Sequence, residues 1–258
     1  MQTPVTAPRQ AVAMEPRTPA VSLQDVVKRF APVRRGADAV VALDGVSFEV
    51  APGEIVAVVG PSGCGKTTLL ELVCGLTDAD AGSVQAAPAA LMAQSDLLLP
   101  WASALDNAAL ALRVAGESRE AGRERAGALL QDFGIAGFEH ARPRELSGGM
   151  RQRVAFARTL LAGRPLLCLD EPFASLDALT RQEMQSWLAG ALSRDPRSVL
   201  LVTHDVEEAL VLGDRVVVLS PRPGRVVATL GVDAPRPRRR TDPELVALRE
   251  RVFEELRT

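Results

Sequence analysis

The sequence has no tyrosine, only two histidines and only three cysteines in 258 residues, and among its 30 basic residues only Lys28 and Lys66 are lysine. Cys64, Cys74 and Cys168 form no CxxC pair, which excludes a disulfide framework and a cysteine-held zinc; they read as reduced thiols. No run of about 18 apolar residues occurs, so no segment is expected to span a membrane as a helix. The first residues lack the apolar core of a secretory signal. The formal charge of -2 leaves no basic surplus of the kind a general nucleic-acid binder carries, so no nucleic-acid partner is expected. Where arginine serves almost every positive charge, each lysine calls for its own reason.

What remains is an ordinary globular composition, 47% hydrophobic and 24% charged, long enough for one large domain or one carrying an inserted subdomain. Residues 1–20, with four prolines, read as a disordered leader, and Met14 is a second candidate start. VSLQDVVKRF (21–30) and VVALDGVSFEV (40–50) read as antiparallel strands of a covering sheet, joined by a loop with Arg34, Arg35 and Gly36. IVAVVG, PLLCLD and SVLLVTHD are continuous apolar runs, the mark of strands buried on both faces of a parallel sheet. RVVVLS and GRVVATL add a strand and a hairpin partner. Strands alternating with helices predict a doubly wound α/β core. About residues 95–163 are Ala-, Leu- and Arg-rich with helical periodicity, an inserted helical subdomain. Residues 21–234 form the core domain, and 235–258 a basic turn and an amphipathic helix opened by Asp242-Pro243-Glu244.

Gly60-Pro61-Ser62-Gly63-Cys64-Gly65-Lys66-Thr67-Thr68 fits the phosphate-loop pattern, placed between a buried strand and a helix as that pattern requires. Glycines let backbone N–H groups and the helix N-terminus approach phosphate. Lys66 supplies charge to the β- and γ-phosphates, and Thr67 offers its hydroxyl to Mg²⁺. Asp170 ends a buried strand, where α/β ligands bind, and is placed to hold the Mg²⁺. Glu171 points elsewhere and can polarise an attacking water. His204 ends another apolar run and is either a γ-phosphate contact or a structural residue; His140 reads as a loop residue.

Leu146-Ser147-Gly148-Gly149-Met150 resolves the class. With the phosphate loop, Gln94, Asp170-Glu171, ASLD (174–177) and His204 in that order, the chain from about Val21 to Arg225 resembles the ATP-binding cassette (ABC) transport ATPases. The resemblance implies a RecA-like P-loop core with an N-terminal antiparallel β-subdomain and an inserted α-helical subdomain, binding and hydrolysing ATP with Mg²⁺. It implies a head-to-tail homodimer in the ATP-bound state, Ser147 of one copy closing over the γ-phosphate held by the other and Asp177 reaching across the seam. Gln94 is implied as a contact to Mg²⁺ or water. Phe30 is either the aromatic that stacks on adenine or a core residue. Asp106 mimics ASLD without an acidic pair before it and is read as a helix start.

LLLPW (97–101), DNAALAL, GGMRQRVAFAR and DEPFASLDALTR look like the branch importing nitrate, sulfonates, taurine and thiamine-pyrimidine precursors, and SALDNAALALRVAG with MQSWL points to the hydroxymethylpyrimidine subgroup. The implied partners are integral-membrane permease subunits and, indirectly, an extracytoplasmic solute-binding protein, with the ATPase on the cytoplasmic face of the inner membrane. Leu97–Trp101 either receives the permease or packs within the helical subdomain. Arg236–Arg240 reads as a solvated tail or a contact to anionic lipid. Three rivals stand beside this reading. A soluble ABC ATPase of DNA or ribosomes would usually bring coiled coils or basic arms, and a P-loop kinase or GTPase leaves LSGGM without purpose. An ABC exporter would carry a fused membrane domain.

Overall fold

The computed structural model describes residues 18–31 and 39–257. The leader up to residue 17 and the loop with Arg34, Arg35 and Gly36 lie outside them. Ala20, counted with the leader above, is already part of the fold: it is buried, donates to Val50 O at 2.7 Å and accepts from Ala87 N at 2.8 Å.

Strands β1 (Val21–Phe30) and β2 (Val40–Val50) pair antiparallel with Val21 opposite Val50. Strand β3 (Ile55–Val59) follows and leads into helix α1 (Lys66–Val73). Gly75, at φ 67, ends that helix, its N–H reaching Leu72 O while Leu76 N reaches back to Glu71 O. This wrap needs a left-handed residue, which glycine adopts without strain. Two strands come next that the apolar pattern did not announce. β4 (Ala81–Ala86) joins the other edge of β1, and β5 (Ala89–Met92) joins the parallel sheet. β4 is largely exposed and β5 is four residues long, so neither has the buried β-branched run that marks a strand.

The helical segment comprises α2 (Ala104–Ala108), α3 (Leu110–Val114), α4 (Arg119–Asp132) and α5 (Gly148–Leu161). Ser103 caps α2 and Asp106 sits in its first turn, the helix start expected of it. The chain returns to the core with β6 (Leu166–Asp170), α6 (Ala178–Arg194), β7 (Ser198–Thr203), α7 (Val206–Leu212), β8 (Arg215–Leu219), β9 (Val226–Gly231) and α8 (Pro243–Arg257).

The large sheet runs β5-β6-β7-β3-β8-β9, parallel except for β9, and a three-stranded antiparallel sheet β2-β1-β4 covers one side. Alternation along the central strands divides the core. Ala57, Val59, Leu167, Leu169 and Leu201 pack with the helices of one face. Val56, Val58, Leu166, Cys168 and Leu200 pack with α1 and the covering sheet on the other. Both faces are dry, which is why these strands read as continuous apolar runs.

Arg236–Arg240 is largely exposed, as a solvated segment would be, but three of its arginines are tied to the fold. Arg236 pairs with Asp214 at 2.8 Å, and Arg240 with Glu207 at 3.2 Å. Arg238 donates to Ala234 O, Leu210 O and Val232 O at 2.7, 3.0 and 2.7 Å. The last carbonyls of α7 have no helical partner, and a guanidinium fork satisfies several such acceptors at once.

Candidate functional site

Register assembles the site. Asp170 of β6 lies opposite Val202 of β7, and Thr203 of β7 opposite Val59 of β3. The residues that follow each strand, Glu171, His204 and Gly60, therefore leave the sheet at the same carboxyl edge, where open α/β sheets bind ligands. Met92 of β5 pairs with Leu169, which delivers Gln94 two residues later to the same edge. The short strand missed in the sequence is the one that positions Gln94.

A cleft of about 310 Å³ lies here, lined by Ser62, Gly63, Gly65, Lys66, Thr67, Thr68, Gln94, Asp170, Glu171 and Phe30, together with Val40, Ala42 and Arg222. Gly65 precedes α1 at φ 102, and a Cβ there would fall 2.7 Å from Leu43 Cδ2 and 2.8 Å from Ala42 O. Only glycine fits between β2 and the helix start. Lys66 is buried, and its ammonium donates to Gly60 O at 2.7 Å and Pro61 O at 3.0 Å. The charge thus sits inside the curve of the loop, where arriving phosphate oxygens would compete for it. Cys64 is buried below the loop, and burial pushes its thiol up.

Thr67 Oγ1 donates to Asp170 Oδ2 at 2.8 Å. Asp170 is only 3% exposed, and burial, reinforced by the Glu171 charge, pushes its carboxyl up; the Thr67 hydrogen bond and Lys66 oppose this. A buried carboxylate short of positive charge beside a hydroxyl and the Gln94 amide is an all-oxygen donor set that suits Mg²⁺. Among the described residues no group of three or more His, Cys, Asp or Glu could hold a metal ion alone. The set therefore fits a cation that takes its other ligands from phosphate and water.

Glu171 sits at φ 47, a conformation uncommon outside glycine. Its N–H donates to Val202 O at 2.8 Å. The carboxylate spans two loops: Oε2 accepts from Gln94 Nε2 at 3.2 Å, and Oε1 lies 3.1 Å from His204 Nδ1. Adjacent carboxylates thus have different partners, Asp170 the Thr67 hydroxyl and Glu171 the Gln94 amide and His204 ring. Local backbone strain like that at Glu171 is typical of functional residues.

Phe30 is 41% exposed on the cleft wall, with Lys28 Nζ 5.6 Å from its ring centre. It is not a core residue. The segment Leu146–Met150 lines no part of this cleft. Leu146 is buried, Ser147 caps α5 by accepting from Met150 N at 3.2 Å, and Ser147 and Gly148 are exposed. Asp177 caps α6, accepting from Leu179 N and Thr180 N at 3.1 Å each; these N–H groups hold its exposed carboxyl below the usual range. Of the two glycine-rich helix starts, only that of α1 belongs to the cleft. Arg222, from the turn after β8, was missed in the sequence; its only signal is its place beyond the carboxyl end of a strand adjoining β3.

The ABC transporter family matches residues 43–174. The chain is 44% identical over 238 residues to the taurine import ATP-binding protein TauB of Chromobacterium violaceum, covering 86% of this chain and 91% of that one. It is 46% identical over 221 residues to the aliphatic sulfonates import ATP-binding protein SsuB 2 of Burkholderia cenocepacia, covering 82% and 80%. To SsuB 1 of Rhodococcus jostii it is 46% identical over 221 residues, covering 83% and 86%. Among solved structures it is similar to the ATP-binding cassette MJ0796, a dimer in a post-hydrolysis state bound to ADP and Pi. The TM-score is 0.76 at 28% identity, covering 83% of this chain and 99% of that one.

Proposed function

The chain belongs to the ABC transporter family as an ATP-binding, ATP-hydrolysing subunit, and from that premise we propose that it energises import of taurine or another aliphatic sulfonate. One observation carries the substrate class: identity of 44–46% over more than four fifths of the chain to taurine and aliphatic sulfonate import subunits. The thiamine-precursor resemblance of the sequence has no counterpart among these relatives and ranks second.

Within this reading Lys66 and the loop N–H groups bind the ATP phosphates, and Phe30 stacks on adenine. Thr67, Asp170 and Gln94 hold Mg²⁺, which when bound neutralises phosphate charge as the terminal phosphoryl group is displaced. Glu171 accepts the proton of an attacking water, and His204 fixes the carboxylate that does so. Ser147 to Met150 of a second copy close the cleft, with Asp177 at the seam. The exposed signature segment and the dimeric MJ0796 relative support this arrangement.

No helix among the described residues is long and apolar enough to cross a membrane. The import relatives support a peripheral place on the cytoplasmic face, beneath permease subunits fed by a solute-binding protein. Leu97 and Trp101, 63% and 72% exposed, form an apolar step beside Gln94 suited to that permease, while Leu98 between them is buried.

The test is growth on taurine or an alkanesulfonate as sole sulfur source, with labelled uptake measured in parallel. A deletion strain should fail and recover with the wild-type chain but not with Glu171→Gln, which should bind ATP and hydrolyse it at least about 100-fold more slowly. Normal sulfonate uptake in the deletion, with hydroxymethylpyrimidine uptake lost, would move the substrate to the second reading.

A further inference from the structure

Beyond the cleft, one side chain joins the two loops that flank Glu171. Arg181, on the first turns of α6, donates through Nη2 to Leu176 O at 3.1 Å, inside the ASLD turn. Its Nη1 lies 3.6 Å from Asp205 Oδ2, on the residue after His204. Asp205 is itself fixed: Oδ1 accepts from Glu207 N and Glu208 N at 2.9 and 3.1 Å, and its own N–H donates to Thr203 Oγ1 at 3.0 Å. The contacts close a ring. Glu171 meets His204 at 3.1 Å, His204 is followed by Asp205, Asp205 pairs with Arg181, and Arg181 holds the turn that begins at Glu171 through the Ala174 N to Glu171 O bond of 3.2 Å.

A second observation places Arg181 at the root of this ring. Arg181 Nε and Glu208 Oε1 are buried without a hydrogen bond among the described residues. Both residues line one small cavity of about 20 Å³ with Glu171, Thr203, His204 and Asp205. That is the room one water needs, and each of these two residues keeps a buried polar atom without a partner among the described residues. Arg181 does not line the nucleotide cleft.

We propose that Arg181 is a positioning residue that ties the ASLD turn to the His204 segment, so that the place of the turn sets the place of His204 against Glu171. It acts through His204 and not on nucleotide. A guanidinium does this because its planar fork reaches two separated acceptors in fixed directions, whereas the donors of an ammonium all leave one freely rotating nitrogen. The inference rests on the ATPase reading above for its functional meaning, while the geometry it invokes exists without nucleotide.

The experiment is a double-mutant cycle. Arg181→Met should lower kcat at least about tenfold with the KM for ATP changed less than about twofold, and Arg181→Lys should fall between. In a His204→Ala background, Arg181→Met should add less than about a twofold loss, because its route is already cut. An equal loss in both backgrounds, or no loss in either, would overturn the proposal. A second readout needs no turnover. The chain has two histidines, so the His204 ring ¹⁵N resonances can be assigned with a His140 variant. They should move in nucleotide-free Arg181→Met and move less in Arg181→Lys; unchanged ring signals would overturn the proposal. If the wild-type chain hydrolyses no ATP, the function reading fails, and the ring signals still decide this one.

Discussion

The Thr67 hydroxyl donates to the Asp170 carboxylate across 2.8 Å, joining residues 103 positions apart in the chain. The bond fastens the first turn of α1 to the end of β6, the two elements that would share a cation. It also offsets part of the cost of burying Asp170 beside the Glu171 charge.

Asp170→Asn keeps the shape and removes that charge. Hydrolysis should fall at least about 100-fold, roughly 3 kcal/mol in the barrier, and excess Mg²⁺ should not restore it. Thermal stability should hold or rise, since a buried carboxylate short of positive charge is replaced by a neutral amide. ATPase assays over a Mg²⁺ titration and thermal melts together check this; retained turnover would remove Asp170 from the metal site.

Ser147→Arg places a bulky cation at the exposed start of α5, away from the cleft. ATP affinity of the isolated chain should change less than about threefold, while turnover is lost because a second copy can no longer close. Loss of the cap should cost about 1 kcal/mol of stability. Nucleotide titration by fluorescence, with light scattering in a Glu171→Gln background, separates these effects. A dimer that still forms with ATP would count against the in-trans arrangement.

Glu208 gives a pH signature. Burial, with Asp205 and Glu171 adding, raises its carboxyl to about 8 from 4.5, against the Thr203 hydrogen bond and the Arg181 charge. Between those values the folded chain keeps a proton that the unfolded chain gives up, so stability falls as pH rises through the window, by up to about 1.4 kcal/mol per unit. Glu208→Gln should flatten that slope and melt higher than wild type above pH 7. Denaturant titrations from pH 5 to 8.5 check it, and parallel curves would refute the buried neutral form.

The central strands and the phosphate loop were legible because two physical codes are local. Dry strands such as Ile55–Val59 must be apolar throughout, and Gly65 must lack a Cβ between Leu43 and the helix. β4 and β5 were not legible, because an exposed edge and a four-residue strand carry no periodicity of their own and are fixed by neighbours distant in sequence. The ties of Arg236, Arg238 and Arg240 were hidden for the same reason. Their partners, the last carbonyls of α7 and the carboxylates of Asp214 and Glu207, cannot be paired with them before the fold is known. Gln94 was found only through resemblance, since the strand that precedes it was invisible.

The distribution of lysine has a practical consequence. One of the two ammonium groups lies inside the phosphate loop and the other 5.6 Å from the centre of the Phe30 ring at the cleft wall. Every side-chain amine in the chain is therefore within or beside the nucleotide cleft. Apart from the α-amine, an amine-selective acylating reagent has only these two sites on the chain; Lys66 is buried from the outset, and protection of Lys28 would report a base against the aromatic wall. Read peptide by peptide in a mass spectrometer, occupancy could be followed without a fluorophore, a mutation or a measurement of turnover.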